Sequence, residues 1–90
     1  LVKVRQDLNL PGGLISLYDL PLGRSAVVNS IGAQGLARRR MMDLGLVPGT
    51  RVNALRCSPA GDPKAFKIRG AVIAFRKEEA RRILVELKER

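Results

Sequence analysis

Residues 38–50 read RRRMMDLGLVPGT, and this run decides the fold. Leu36, Arg40, Met41 and Leu44 recur at helical spacing, which predicts a short basic helix over Leu36–Leu44. Gly45 stands where a helix stops in a left-handed residue. Pro48 and Gly49 then reverse the chain into a strand that begins at Arg51. Successive helix positions turn by about 100°, so Arg38, Arg39 and Arg40 cannot share a face. Arg40 lies beside the apolar stripe, where its stem can cover the core while its guanidinium reaches a carboxylate. Asp43 follows at pairing distance. Arg38 and Arg39 are either solvated or partner contacts. Leu46 and Val47 are either tucked under the helix or exposed at the corner, where they would dock into a partner. Met41 and Met42 are adjacent, so one faces inward.

Working outward, Ser25–Ile31 is a short apolar run and the first expected strand. Arg51–Cys57 is the second. Ser58-Pro-Ala-Gly-Asp-Pro63 is turn chemistry of the kind that closes a hairpin. Lys64–Arg69 alternates, with Phe66 and Ile68 on one face and Ala65, Lys67 and Arg69 on the other. Gly70 permits a bend before Ala71–Phe75, the fourth strand. Lys77–Arg82 carries a helical turn, and the last strand sets Ile83, Val85 and Leu87 on one face. Near the start, Ser16 and Asp19 frame one helical turn, with Leu17 and Leu20 packing inward as an anchor. Residues 1–13 are expected to be a flexible extension of turn chemistry, and residues 14–90 one domain. The expected class is mostly β: about five short strands, one inserted helix and short helical turns. Short antiparallel strands in so small a chain hide their edges by closing into a barrel.

Composition narrows the function. The chain has 90 residues, 17 basic and 8 acidic, with 12 Arg against 5 Lys and a net charge of +9. Such a surface attracts acidic proteins, polyanions or anionic membrane faces. Stacking on single-stranded bases needs exposed rings, and the aromatics are only Tyr18, Phe66 and Phe75. No run of about 18 apolar residues is present, so membrane insertion is not expected. The lone Cys57 forms no internal disulfide, which points to a reducing, cytoplasmic setting. The N-terminal residues lack a signal-peptide pattern.

With no His in the sequence, a catalytic triad or a Cys–His pair is excluded. No phosphate-binding glycine loop followed by Lys-Ser/Thr is present. Transition metals bind imidazole, thiolate and carboxylate ligands, and this sequence supplies no imidazole. Cys57 and Asp62 make at most a weak pair, and the plainer reading is a strand-end residue beside a turn aspartate. No catalytic residue, no metal ligand and no cofactor is therefore assigned. The strand cations Arg51, Lys64, Lys67, Arg69 and Arg76 are expected to decorate the outside, as a solubilising face or as a surface complementary to an acidic partner.

Three sections of the chain carry a resemblance. The first is Leu17-Tyr-Asp-Leu-Pro-Leu-Gly with Ala26-Val-Val. The second is Arg40-Met-Met-Asp-Leu-Gly-Leu-Val-Pro-Gly-Thr. The third is Gly61-Asp-Pro, Arg69-Gly, Ile73-Ala-Phe-Arg, Glu79-Ala and Ile83-Leu-Val. In order and spacing they resemble the FeoA family of ferrous iron transport proteins. The resemblance implies an SH3-like β-barrel with a helix after the first strand. It implies a non-enzymatic cytoplasmic role beside FeoB, a membrane iron transporter with a GTP-binding domain, and weak binding of ferrous iron. A similar barrel ends the DtxR-type metal-dependent repressors, so a metal-sensing barrel stands as one alternative; the net charge of +9 keeps a basic nucleic-acid-binding barrel as another, though nucleic acid is not the expected partner, and self-association is left open. No helix-turn-helix pattern precedes the barrel, so a whole repressor is not expected. The expected partner contacts are Arg38, Arg39, Leu46 and Val47. Arg40, Asp43, Gly45, Pro48 and Gly49 hold the corner.

Overall fold

Alternation of apolar and polar residues makes the strands here, and two bulges decide which side chains turn inward. A computed structural model of the chain describes residues 13–88. Its strands are β1 (Leu14–Ser16), β2 (Ser25–Ile31), β3 (Arg51–Cys57), β4 (Lys64–Ile68), β5 (Ala71–Phe75) and β6 (Ile83–Lys88). A 3-10 turn (Leu17–Asp19) follows β1, helix α1 (Gly35–Asp43) follows β2, and a single helical turn α2 (Lys77–Ala80) follows β5. The expected N-terminal extension lies outside the described residues except for Gly13.

All pairings are antiparallel, in the order β1-β6-β2-β3-β4-β5. In β2 the register against β6 shifts between Val28 and Ser30. Ala26 and Val28 point inward, and the shift lets Ile31, rather than Ser30, join them. In β3 the register shifts between Ala54 and Arg56. Val52 and Ala54 point inward; strict alternation would bury Arg56 next. The bulge at Leu55 instead sets Arg56 opposite Ala65 and leaves it exposed. Each bulge keeps the apolar face whole where the sequence would break it.

Strand β1 is an addition to the expected set. Three residues, Leu-Ile-Ser, are too few to show alternation, yet they pair with β6 from Leu14↔Glu86 to Ser16↔Leu84. The inserted helix therefore follows the second strand. At the other end of β6, Leu87 is 37% exposed and does not continue the buried pair Ile83 and Val85.

The turn after β1 closes the structure. Ser16 accepts the Asp19 backbone N–H at 3.3 Å, and Leu17 and Leu20 are fully buried, as expected. Tyr18 donates its hydroxyl to the Gly61 carbonyl at 2.7 Å. Lys64, expected on the outside, is buried instead. Its ammonium donates to the Tyr18 carbonyl at 2.8 Å and to the Leu20 carbonyl at 2.7 Å. It also lies 5.3 Å from the centre of the Tyr18 ring. Alternation alone puts Lys64 on the inward face with Phe66 and Ile68. Carbonyls without other partners make that burial tolerable.

Burial pushes the Lys64 ammonium below its ordinary value of 10.5, against the opposing pull of Cys57 and Asp19. Lys64→Met keeps the bulk but strands two carbonyls. Urea denaturation should show a loss of about 2 kcal/mol at neutral pH. Between the lowered folded value and 10.5 the unfolded chain binds the extra proton, so Lys64 makes wild-type stability rise with pH across that window. The Met variant should lack that rise.

Candidate functional site: a basic corner and the face of the inserted helix

Helix α1 stands off the barrel. From Gly35 to Arg40 every residue is exposed, and Met41 is the buried one. Leu36, expected on the apolar stripe, is 83% exposed. The helix touches the core only with its last turn, so its first apolar residue has nothing to cover. Met41 faces in and Met42 out, as adjacency requires.

The helix ends in a double-bonded stop. The Gly45 N–H donates to the Met42 carbonyl at 3.0 Å and the Leu46 N–H to the Met41 carbonyl at 3.1 Å. This is the Schellman arrangement, in which the second residue past the cap packs on the last inward side chain. Leu46 is accordingly fully buried with Met41. It cannot touch a partner, which corrects the expectation from the sequence. Gly45 has φ 102, and a Cβ there would sit 3.2 Å from Arg69 Cδ and 3.3 Å from Ile68 Cγ2. Both the left-handed backbone and the close approach require glycine. The Pro48-Gly49 turn closes with the Thr50 N–H on the Val47 carbonyl at 3.0 Å, and Gly49 N–H pins it to the Val28 carbonyl at 2.8 Å.

The expected contact residues divide between two depressions. Arg38 and Arg39 line one with Gly35, Met42 and Asp43, about 430 Å³. Arg38 is part-committed, donating to the Ile31 carbonyl at 3.3 Å. Val47, Pro48 and Gly49 line the other with Thr50, Arg51, Asn53, Lys67, Arg69 and Gly70, about 520 Å³. The sequence placed Arg51, Lys67 and Arg69 on the outside without bringing them together. The register does: Asn53 faces Lys67 across β3 and β4. None of the three cations makes a salt bridge among the described residues.

Arg40 pairs with Glu79 on α2 at 2.9 Å rather than with Asp43, which is exposed. Its side chain is 62% exposed and does not lie along the core. Glu79 also accepts the Arg76 backbone N–H at 2.9 Å. That hydrogen bond holds the Glu79 carboxyl below its ordinary value of 4.5, against partial burial and with help from Arg40. Asp62 accepts the Lys77 backbone N–H at 2.9 Å. Among the described residues no group of three or more His, Cys, Asp or Glu side chains is arranged to hold a metal. The implied iron site therefore finds no fitting donor set there. Phe66 and Phe75 pack together in the core, 6.2 Å between ring centres, and Tyr18 is half-buried and hydrogen-bonded. No helix among the described residues is long and apolar enough to cross a membrane.

Leu46→Ala should cost about 3 kcal/mol in urea denaturation, whereas Val47→Ala should cost under about 1 kcal/mol. Glu79→Gln keeps an oxygen that can accept the Arg76 N–H but removes the charge, and should cost up to about 1 kcal/mol at neutral pH through the Arg40 pair and the weakened cap. The carboxylate's contribution is present above 4.5 and is lost as pH falls through the depressed folded value, so wild type and variant should converge in acid.

The model of one family, the FeoA domain, matches residues 15–87. A fusion protein of Porphyromonas gingivalis, described as Fe(2+) transport protein A joined to the Fe(2+) transporter FeoB, is 32% identical over 71 residues. The match takes in 79% of this chain and 8% of that protein, so the chain spans a small part of that relative's length. The solution structure of the FeoA protein from Chlorobium tepidum is 40% identical, with a TM-score of 0.77, covering 81% of this chain and 70% of that one. The Stenotrophomonas maltophilia FeoA crystal structure, complexed with zinc and described as an SH3 domain protein, is 34% identical, with a TM-score of 0.72, covering 80% and 89%. With the family match spanning nearly all the described barrel, this chain, an SH3-like fold of six antiparallel strands, belongs to the FeoA family.

Proposed function

We propose that this protein is a non-enzymatic accessory factor of ferrous iron uptake, acting in the cytoplasm by binding the cytoplasmic part of a FeoB-type transporter. The observation that carries this reading is the Porphyromonas gingivalis fusion, in which a segment like this chain is covalently joined to FeoB. Fusion replaces an encounter in solution by an intramolecular one, at an effective concentration in the millimolar range for short linkers. Two separate chains must achieve the same association through complementary surfaces.

The basic corner offers such a surface. Arg51, Lys67 and Arg69 line one groove together with Thr50 and Asn53. The Schellman stop and the close Gly45–Arg69 approach hold its walls. Fixed cations around a preformed groove steer an acidic partner and set its orientation. Arg38, Arg39 and the exposed Leu36 and Met42 extend the contact along α1. Accessory action fits the acids as well: Asp19, Asp62 and Glu79 are engaged in hydrogen bonds within the fold. Such a protein alters transport only by binding some states of the transporter better than others.

Calorimetric titration against the cytoplasmic GTP-binding region of the transporter, with GDP and with a non-hydrolysable GTP analogue, tests this. Association is expected to differ between the two nucleotide states. The double variant Arg51→Glu, Lys67→Glu should weaken it by at least about tenfold, equivalent to about 1.4 kcal/mol. No association in either state, together with unchanged iron uptake in cells lacking the protein, would refute it.

A further inference from the structure

The free edge of β5 starts at the hairpin that walls the corner and runs away from it, with main-chain groups as its own chemistry. The β4–β5 turn has two residues, Arg69 with φ 51 and Gly70 with φ 85, the type I′ geometry of tight hairpins. That turn makes Ile68 and Ala71 a hydrogen-bonded pair. Alternation then gives Phe66 with Ile73 and Lys64 with Phe75 as the other bonded pairs. Val72 and Ala74 sit at the non-bonded positions, so their N–H and C=O groups point away from β4. No strand among the described residues lies on that side. The edge has a defined end: the Arg76 N–H, next in the series, is taken by Glu79.

Protein sheets commonly guard such edges with charge or proline. Here the strand is Ala-Val-Ile-Ala-Phe, without either, and Val72 is 55% exposed. Beside it, Val72 and Ala74 share a shallow, mostly apolar groove with Ala65, Cys57, Pro59 and Pro63, with Ser58 and the cation Arg56 on its margin, about 450 Å³. Cations surround it: Arg56 in the groove, Lys67 across from Val72, Arg69 in the hairpin, and Arg76 and Lys77 at the other end. Glu78 and Glu79 follow on α2, with Glu79 committed to Arg40 and Arg76.

We infer that the β5 edge takes an extended acidic segment of a partner protein, which adds as a further antiparallel strand and sets its carboxylates against the cations at either end. Main-chain bonds to Val72 and Ala74 supply the pairing, and the apolar groove receives alternate side chains. Charge selects this occupant over a second copy. The antiparallel register that uses the outward groups of both Val72 and Ala74 on each strand sets Val72 of one copy against Ala74 of the other. That register brings the Arg69 end of one copy to the Arg76–Lys77 end of its partner, so cations crowd both ends and repel.

The test uses the full chain and a capped peptide, Glu-Thr-Val-Thr-Val-Asp-Glu, in three forms: unmodified, N-methylated at the odd positions, and N-methylated at the even positions. Nitrogen-15 NMR is expected to show new protection from exchange at the Val72 and Ala74 amides. One methylated form should bind at least about tenfold more weakly and the other close to normally, because a strand adds through a single edge. Val72→Pro, which removes an outward N–H without breaking the β4 ladder, should reproduce the loss. Binding should also fall as salt rises. Equal binding of all three peptides, shifts confined to the 47–51 corner, or no binding would each overturn the inference. So would a dimer in sedimentation that Val72→Pro disperses, since a second copy would then be the occupant. The readout needs no transporter, so the FeoB reading stands or falls separately.

Discussion

One buried ammonium holds the barrel's open seam. The sheet order leaves β1 and β5 as edges without a ladder between them among the described residues. The turn after β1 spans that gap, and its Tyr18 and Leu20 carbonyls face the interior side of β4. A hydrophobic side chain at residue 64 would leave both carbonyls unpaired. Lysine reaches them with a flexible stem and offers more than one donor from one atom, while the Tyr18 and Phe66 rings lie 5.3 and 5.8 Å from its nitrogen. Desolvation opposes this placement and pushes the ammonium below its ordinary value. The interaction therefore specifies where the turn lands more than it adds net stability.

Given that closure, the remaining constraints fix a surface. The bulge at Leu55 turns Arg56 outward, and the bulge at Asn29 brings Ile31 in before the chain departs for α1. The helix returns through the Schellman stop, whose buried Leu46 fastens the corner to the core. From there the Gly45 backbone lies directly against Ile68 and Arg69, with no side chain between them. The corner and the β4–β5 hairpin thus form one wall each of the basic groove. Neither wall depends on the exposed part of α1, so the helix face and the groove can be altered separately.

The sequence was most legible where period and turn chemistry agree. Ser25–Ile31, Arg51–Cys57 and Ala71–Phe75 form strands over the residues expected from pattern alone. Their limits are set by polar loops and proline–glycine turns, which act locally. Sequence reasoning failed where a tertiary partner decides. Leu36 fits a helical stripe, but the barrel surface ends before it. Lysine looks like an outside residue until two carbonyls claim it. Arg40 had an acid at helical spacing and took Glu79 from another element instead. Leu46 was readable in principle: a glycine stop followed directly by leucine is the pattern of an inward-packed residue. The convergence of Arg51, Lys67 and Arg69 was also latent, since a two-residue Arg-Gly hairpin fixes the β4–β5 register, but the β3 bulge had to be known to complete it.

Like charges on neighbouring strands weaken a sheet. A domain of this size has little stability to spare. Arg51, Lys67 and Arg69 nevertheless share one groove with no acid paired to them among the described residues, while the acids Asp62 and Glu79 are engaged at backbone N–H groups. Solubility would be served as well by cations spread over the barrel. Concentrating them raises the local potential and leaves their guanidinium and ammonium donors free, an arrangement that becomes favourable only against a surface of opposite sign. The groove's arrangement is thus not accounted for by what it does for the fold, and it suits the acidic surface proposed above as its partner. The same logic separates it from the β5 edge, where the unsatisfied groups are main-chain amides and the charges serve to choose among strands.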